Sequence, residues 1–238
     1  MIHLASDISC GDEAPVRQTI DQRLLRGDVW YLTENERIKL STPVERLTRI
    51  RSVWHDSVSY VFPKETSIDI SAKAITKNWY DINFQYDSLI TQKVFNLGIP
   101  VGKSPGQASL AYAILPNTSY NDIFENQQFP VKIIENNSKL QAVWNEKANV
   151  LQAALYEPGR IKIPGTEYEV EMERPGLLMV KFLKKRVKFS FCNPENKFAS
   201  NKINVYKNGD LGKTIALPLY APPYAGKTII RYIDNGKK

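Results

Sequence analysis

Apolar residues along this chain fall into short runs bounded by turn-forming residues, and several runs alternate with polar residues at a period of two. That pattern belongs to strands rather than helices. The stretch 96–117, NLGIPVGKSPGQASLAYAILPN, passes Gly98, Pro100, Gly102, Pro105 and Gly106 into the uncharged run ASLAYAIL, which Pro116-Asn117 stops. Such a run predicts a strand buried on both faces. A buried helix segment has the same periodicity, and the bracketing Pro and Gly favour the strand. Upstream, IHLASDI reads as an apolar strand and QTIDQRLLRGDVWYL (18–32) as two strands around a turn at Arg26-Gly27-Asp28. Residues 33–49 read as a polar loop or hairpin, and RSVWHDSVSYVFP (51–63) as a strand closed by Pro63. In TSIDISAK, Ile68, Ile70 and Ala72 alternate with Asp69 and Ser71. The longest alternation runs from Ile82 to Val94 and predicts a long antiparallel strand with one solvent face. Paired with the 108–115 strand, it would form a large sheet beneath a second one.

One short helix is predicted over 118–128 (TSYNDIFENQQ), where Ser119 and Asp122 make an imperfect capping box. Strands resume at PVKII, LQAVW and VLQAALY. Glu157-Pro158-Gly159 then marks a turn and a domain boundary. Beyond it the strands are shorter and more regular. EYEVEM (167–172) turns Tyr168, Val170 and Met172 inward, LLMVKFL and VKFSFC are joined by Lys184-Lys185-Arg186, and INVY runs into the hairpin signal Asn208-Gly209. TIALPL and KTIIRYI complete the set. The pattern predicts an all-β protein, a large antiparallel β-sandwich over residues 1–157 followed by a small C-terminal β-sandwich over 158–238.

Composition narrows the function classes. The 238 residues, 42% of them hydrophobic, suffice for a real core. No apolar run approaches the roughly 18–20 residues that span a bilayer, and the N-terminal residues lack the basic and apolar regions of a signal peptide. Taken literally, the product is cytoplasmic. Cys10 and Cys192 lie far apart with no metal-ligand spacing, so no metal or cofactor is expected. The net charge of +7 suits an acidic partner, a polyanionic polysaccharide or a nucleic acid, and also suits a plain soluble surface. No nucleic-acid-binding motif accompanies it. The basic cluster Lys181, Lys184, Lys185, Arg186 and Lys188 is the candidate polyanion site, with Lys184, Lys185 and Arg186 at its centre; a solubilising hairpin tip has the same composition.

Other chemistry finds little support. Of the two histidines, His3 lies at the terminus and His55 stands between Trp54 and Asp56 in an aromatic-rich strand, where a structural role is expected. AGKT (225–228) fails as a phosphate loop, because Ala221 stands where the first glycine is required and Pro222-Pro223 remove amides. The carboxylates of EYEVEME read as a solvated face, Arg26-Gly27-Asp28 as a turn, and Trp30, Trp54, Trp79 and Trp144 as core.

The order of several modest motifs carries a resemblance. A glycine-containing approach followed by AYxxLPN resembles the central β-domain of the family 8 polysaccharide lyases, which cleave hyaluronan, chondroitin or xanthan. Leu97 stands where those enzymes commonly carry a His. IHLASDIS with PVRQTIDQRLLRGDV, VWHDSVSYVFP, NWYDIN, LQAVWNEKANVLQAALYEPG and the INVYKNG hairpin resemble further passages of that family in the same order, across almost the whole chain. The resemblance implies a supersandwich, entered after its first strands, and a C-terminal β-sandwich. It also implies a link to β-elimination on uronic-acid polysaccharides. The family's Asn, His, Tyr and Arg catalytic groups lie in an α/α-toroid to which nothing here aligns, so no catalytic residue carries over. The implied partners are an acidic, glycosaminoglycan-like polysaccharide and a separately encoded toroid; the family is secreted or periplasmic. A stand-alone carbohydrate-binding or structural module and a basic nucleic-acid-binding β-protein stand as alternatives.

Overall fold

In the computed structural model, residues 1–34, 36–84, 86–103, 105–122, 128–195, 200–218 and 226–234 are described. The chain divides into two compact units, Met1–Pro130 and Val131–Lys238. The first contains β1 (Ile2–Ile8), β2 (Pro15–Leu24), β3 (Val29–Leu32), β4 (Arg37–Lys39), β5 (Val44–His55), β6 (Val58–Asn78), β7 (Leu89–Lys103) and β8 (Ala108–Pro116). The second contains β9 (Lys132–Asn136), β10 (Leu140–Asn145), β11 (Val150–Leu155), β12 (Gly159–Lys162), β13 (Tyr168–Met172), β14 (Gly176–Phe182), β15 (Arg186–Cys192), β16 (Ser200–Lys207), β17 (Asp210–Pro218) and β18 (Ile229–Asp234). All pairings are antiparallel.

The first unit is built on β6. Its opening residues pair with β8 from Val58↔Pro116 to Val61↔Ala113, and its later ones pair with β7 from Asp69↔Gly98 to Asn78↔Leu89. β5 follows the opposite edge of both parts, from His55↔Val58 to Val44↔Ser71. The two parts meet at an irregularity, where Val61 pairs with Ser52 but Thr66 pairs with Ile50. Pro63, expected to close a strand, sits inside this bulge, where its missing N–H leaves no ladder bond unmade. On the other strand, Arg49 takes φ 60° and directs its guanidinium to Glu65 at 3.2 Å. Strands that change sheets at bulges make the corners of orthogonally packed sandwiches. The space enclosed is filled by Val29, Ile50, Val53, Tyr60, Phe62, Ile68, Ile70, Phe95, Leu97, Ile99 and Tyr112. The β5–β6 turn is Asp56-Ser57, both at positive φ (46° and 65°), as the mirror-image turns that suit twisted hairpins require.

Several expectations change here. The 108–115 strand is not buried on both faces, since within β8 only Tyr112 and Ala113 are buried. It pairs with β1 and β6 rather than with the alternating 82–94 stretch. That stretch is not one strand. β6 ends at Asn78, a short 3-10 turn Trp79–Asp81 follows, and β7 starts at Leu89. Turn-forming side chains win over the alternation: Asn78 Oδ1 accepts the Tyr80 N–H at 3.0 Å and its Nδ2 donates to Asp87 at 2.6 Å. The 33–49 segment holds β4 and the start of β5. Residues 123–127 of the predicted helix lie outside the described residues, while Ser119 and Asp122 do make reciprocal capping bonds, at 2.6 and 3.3 Å.

The second unit stacks a six-stranded sheet, β18-β15-β14-β11-β10-β9, on a four-stranded one, β12-β13-β16-β17. The boundary expected at Glu157 falls inside this unit. β11 is bonded to β10 on one edge and β14 on the other, so a cut there would split the larger sheet. Alternation works as read: Tyr168, Val170 and Met172 are buried, as are Leu178 and Val180 of β14 and Val187, Phe189 and Phe191 of β15. Asn208-Gly209 supplies positive φ at both positions (53° and 90°) and joins β16 to β17.

Gly176 marks a point of close packing. A Cβ there would lie 2.4 Å from the ring of Phe191, which is fully buried and has nowhere to move. Gly176→Ala should therefore destabilise the second unit by about 1–3 kcal/mol, the usual range for overpacking. Denaturant unfolding, followed in that unit, should register the loss; an unchanged midpoint would show that the ring relaxes.

Candidate functional site

The expected basic site is a hairpin end. Leu183 N–H bonds to the Arg186 carbonyl at 2.9 Å, closing the turn that carries Lys184 and Lys185. Lys181 and Lys188 face each other across the strands beneath it. All of these but Lys188 are exposed, and Lys188 is half-buried. Arg186 lies over the Tyr232 ring at 4.3 Å, a cation–π contact that holds one guanidinium in place. The structure thus brings the five cations together at one end of the six-stranded sheet. Among the described residues none of them makes a salt bridge.

The glutamates of EYEVEME are engaged very differently. Glu167 pairs with Lys207 at 3.0 Å, Glu169 with Arg160 at 2.7 Å and Glu173 with Lys202 at 3.7 Å. Glu171 accepts from the Tyr206 hydroxyl at 2.7 Å and from Asn204 at 3.1 Å. These bonds, the Tyr206 one first, hold its carboxyl below the usual carboxylate range. A general acid for glycoside hydrolysis needs the opposite shift. This row is a paired, solvated face.

His55 is fully buried, with its ring stacked on Phe95 at 4.3 Å between centroids. Its Nε2 accepts the Arg26 N–H at 3.2 Å, so the proton of the neutral ring sits on Nδ1, which has no partner among the described residues. Burial pushes its pKa down. Beside it, the Tyr60 hydroxyl donates to Asp21, and Asp21 also pairs with Arg23. Burial, and then the Asp21 hydrogen bond, push the Tyr60 phenol far up. His3 stacks on Tyr112 and is likewise lowered by burial. The His55 ring is thus a neutral group sealed from any polymer. Among the described residues no group of three or more His, Cys, Asp or Glu stands ready to hold a metal, and Cys10 and Cys192 are free thiols, one in each unit.

The tryptophans divide. Trp144 is buried, whereas Trp30 and Trp54 are half-buried and meet the Tyr120 ring at 5.7 and 6.2 Å. Trp79, expected in the core, is 42% exposed at the β6–β7 turn. The density of Asn, Asp and Ser around it was the signal for that turn.

Comparison with known proteins fits both units. The model of the polysaccharide lyase family 8 super-sandwich domain matches residues 1–127, and that of the family 8 C-terminal beta-sandwich domain matches residues 132–201. The chain belongs to polysaccharide lyase family 8. It is 26% identical to the chondroitinase-AC of Pedobacter heparinus over 179 residues, which is 74% of this chain and 25% of that protein. In fold it is similar to a solved chondroitinase AC lyase, with a TM-score of 0.87 at 20% identity over 97% of this chain and 34% of the other. A xanthan lyase from Paenibacillus gives 0.76 at 20% identity, covering 87% of this chain and 21% of that one. The chain therefore spans about a quarter of the curated relative's length.

Within this family 8 chain, the motif residues Asp21, His55 and Tyr60 come from β2, the end of β5 and β6 and meet in one place: Tyr60 bonds Asp21, and the His55 and Tyr60 rings both lie against Phe95. Sequence spacing gave no hint of that convergence. Because the folded His55 has a lowered pKa, the unfolded chain takes up a proton first, and stability falls as pH drops below about 6.5 until the folded value is reached. The first unit's melting temperature should drop as pH falls below about 6.5, with a flatter profile in His55→Phe; parallel profiles would contradict a buried neutral ring. Tyr60→Phe removes a hydrogen bond to a carboxylate and should lower stability by about 1.5–3 kcal/mol.

Proposed function

We propose that these two domains are the non-catalytic, carbohydrate-binding and scaffolding part of a lyase that acts by β-elimination on uronic-acid polysaccharides of the hyaluronan or chondroitin type. The observation that carries the binding role is the basic hairpin Lys181–Lys188. Among the described residues its exposed cations lack carboxylate partners, whereas every glutamate of the row on the second unit's other sheet is salt-bridged or hydrogen-bonded. Family membership, and the names of relatives that are chondroitin and xanthan lyases, support the substrate class.

Chemistry supports the non-catalytic half of the proposal. Elimination at a uronate requires the carboxylate to be neutralised so that the C5 proton becomes acidic. It then requires a base and an acid within reach of their protons. The buried His55 and Tyr60 cannot meet a polymer, and the carboxylates of β13 are held ionised or paired. General acid–base help is worth roughly 10²–10⁴-fold and pre-organised charge stabilisation a comparable factor. A chain whose described residues supply neither does not turn over. Under this reading the catalytic groups belong to a partner domain, encoded separately or elsewhere in a longer protein.

Two measurements test the proposal. Incubated with hyaluronan, chondroitin sulfate or xanthan, the purified chain should release no unsaturated uronate absorbing in the ultraviolet; steady, repurification-resistant product formation would overturn the non-catalytic reading. Binding to chondroitin sulfate should be weak and should fall steeply with salt, as screening of exposed charges requires. Lys184→Glu, Lys185→Glu and Arg186→Glu together should abolish it. Binding that ignores salt would point to an uncharged sugar site, and no binding at all would return the hairpin to a solubilising role.

A further inference from the structure

Past the edge of the shared sheet, β6 and β7 run on as a two-stranded ribbon. β5 reaches only Ser71 and β2 only Val94, yet β6 and β7 stay paired through Ala74↔Lys93, Thr76↔Thr91 and Asn78↔Leu89. No described residue between 73 and 93 is buried. An isolated two-stranded ribbon is marginal in water. This one also ends in a patch of large apolar side chains. Phe84, Ile82 and Leu89 are 77%, 74% and 74% exposed, and Trp79, Tyr80, Tyr86 and Ile90 stand beside them. Single apolar residues are ordinary on a surface, but seven exposed ones within positions 79–90 are a concentration of the sort that marks an interaction site.

The tip is rigidly built. The Trp79 N–H bonds to the Ser88 carbonyl at 2.9 Å, the Ile82 and Asn83 N–H groups bond to the Trp79 carbonyl at 3.0 and 2.9 Å, and Asn78 bridges to Asp87. A preformed shape of this kind loses little entropy on docking.

Chemistry selects the occupant. A sugar chain wants flat aromatic platforms, but Tyr80 and Phe84 meet edge-on at 87°, and Ile82 and Leu89 are aliphatic. A lipid surface would have to take in the carboxylates of Asp81 and Asp87 with the apolar groups. An apolar protein groove fits both, and the exposed stem lysines Lys73, Lys77 and Lys93 have no acidic partner among the described residues, so carboxylates would rim it. The chain also matches only 25% of the curated relative and 34% of a solved one, so in those proteins these domains share a chain with a much larger body.

We infer that the β6–β7 tip is a docking element that inserts into an apolar, acid-rimmed groove on the remaining portion of a family 8 lyase. The inference rests on the lyase-part reading above and adds the surface through which the parts join.

The test titrates the full chain by calorimetry with the segment of Pedobacter heparinus chondroitinase-AC that has no counterpart here, expressed separately and folded. Wild type should bind. Ile82→Ser, Phe84→Ser and Leu89→Ser together should weaken binding at least about tenfold, with an unchanged melting temperature because these side chains are exposed. Lys73→Glu, Lys77→Glu and Lys93→Glu together should weaken it at low salt only. If the tip variant binds as tightly as wild type, the docking inference falls while the lyase-part reading stands. If wild type does not bind, the inference falls too, and the chondroitin sulfate measurement judges the lyase-part reading on its own. Loss in the tip variant of binding to chondroitin sulfate, of binding to phosphatidylcholine–phosphatidylserine vesicles, or of a wild-type dimer would assign the tip to sugar, lipid or a second copy, and each overturns the inference.

Discussion

The first unit depends on the hydrogen bonding of one strand. β6 runs from Val58 to Asn78 with β5 along one edge, and along the other it is served first by β8 and then by β7. Buried backbone groups must be paired, so a strand that leaves one layer for another needs a place to change partners. The bulge around Pro63 provides it, with Arg49 in a left-handed conformation opposite and its guanidinium on Glu65. Both layers of the core take residues from this strand, Tyr60 and Phe62 before the bulge and Ile68 and Ile70 after it. Disturbing the bulge would disturb the register of every strand that β6 serves.

The polar residues inside this unit follow from the same arrangement. Asp21 on β2 meets Tyr60 on β6, and His55 on β5 meets Phe95 on β7. Low dielectric makes such groups costly unless they are bonded, and most of these are. The consequence for function is negative and specific. The residues whose types best suit acid–base work in this chain are held neutral or paired, as structural members of the core. The surfaces proposed for recognition lie elsewhere, at the cationic end of β14–β15 and the apolar tip of β6–β7.

Family membership and physical reading agree on the division of the chain. The family models cover a super-sandwich and a C-terminal sandwich, the same two bodies into which the chain divides near residue 130. Relatives carry these bodies within chains three to four times the matched length, a proportion read from the 34% and 25% shares. An exposed apolar ribbon is then no defect of the domain but the sign of a surface meant for a neighbour.

Local chemistry was legible in the sequence. Asn208-Gly209 forms its hairpin because both residues tolerate positive φ, and β13 buries the Tyr168, Val170 and Met172 that alternation assigned, because that face meets the second sheet. The order of the family's motifs was legible too. Tertiary structure alone decided three things. It placed the division near residue 130, because β11 bonds to both β10 and β14 and so joins the segments on either side of Glu157 in one sheet. It brought Asp21, His55 and Tyr60 together. It also left Ile82, Phe84 and Ile90 exposed to water, where alternation had predicted a covered strand face. A period of two says which side chains share a face; only the packing of distant strands decides whether anything covers it.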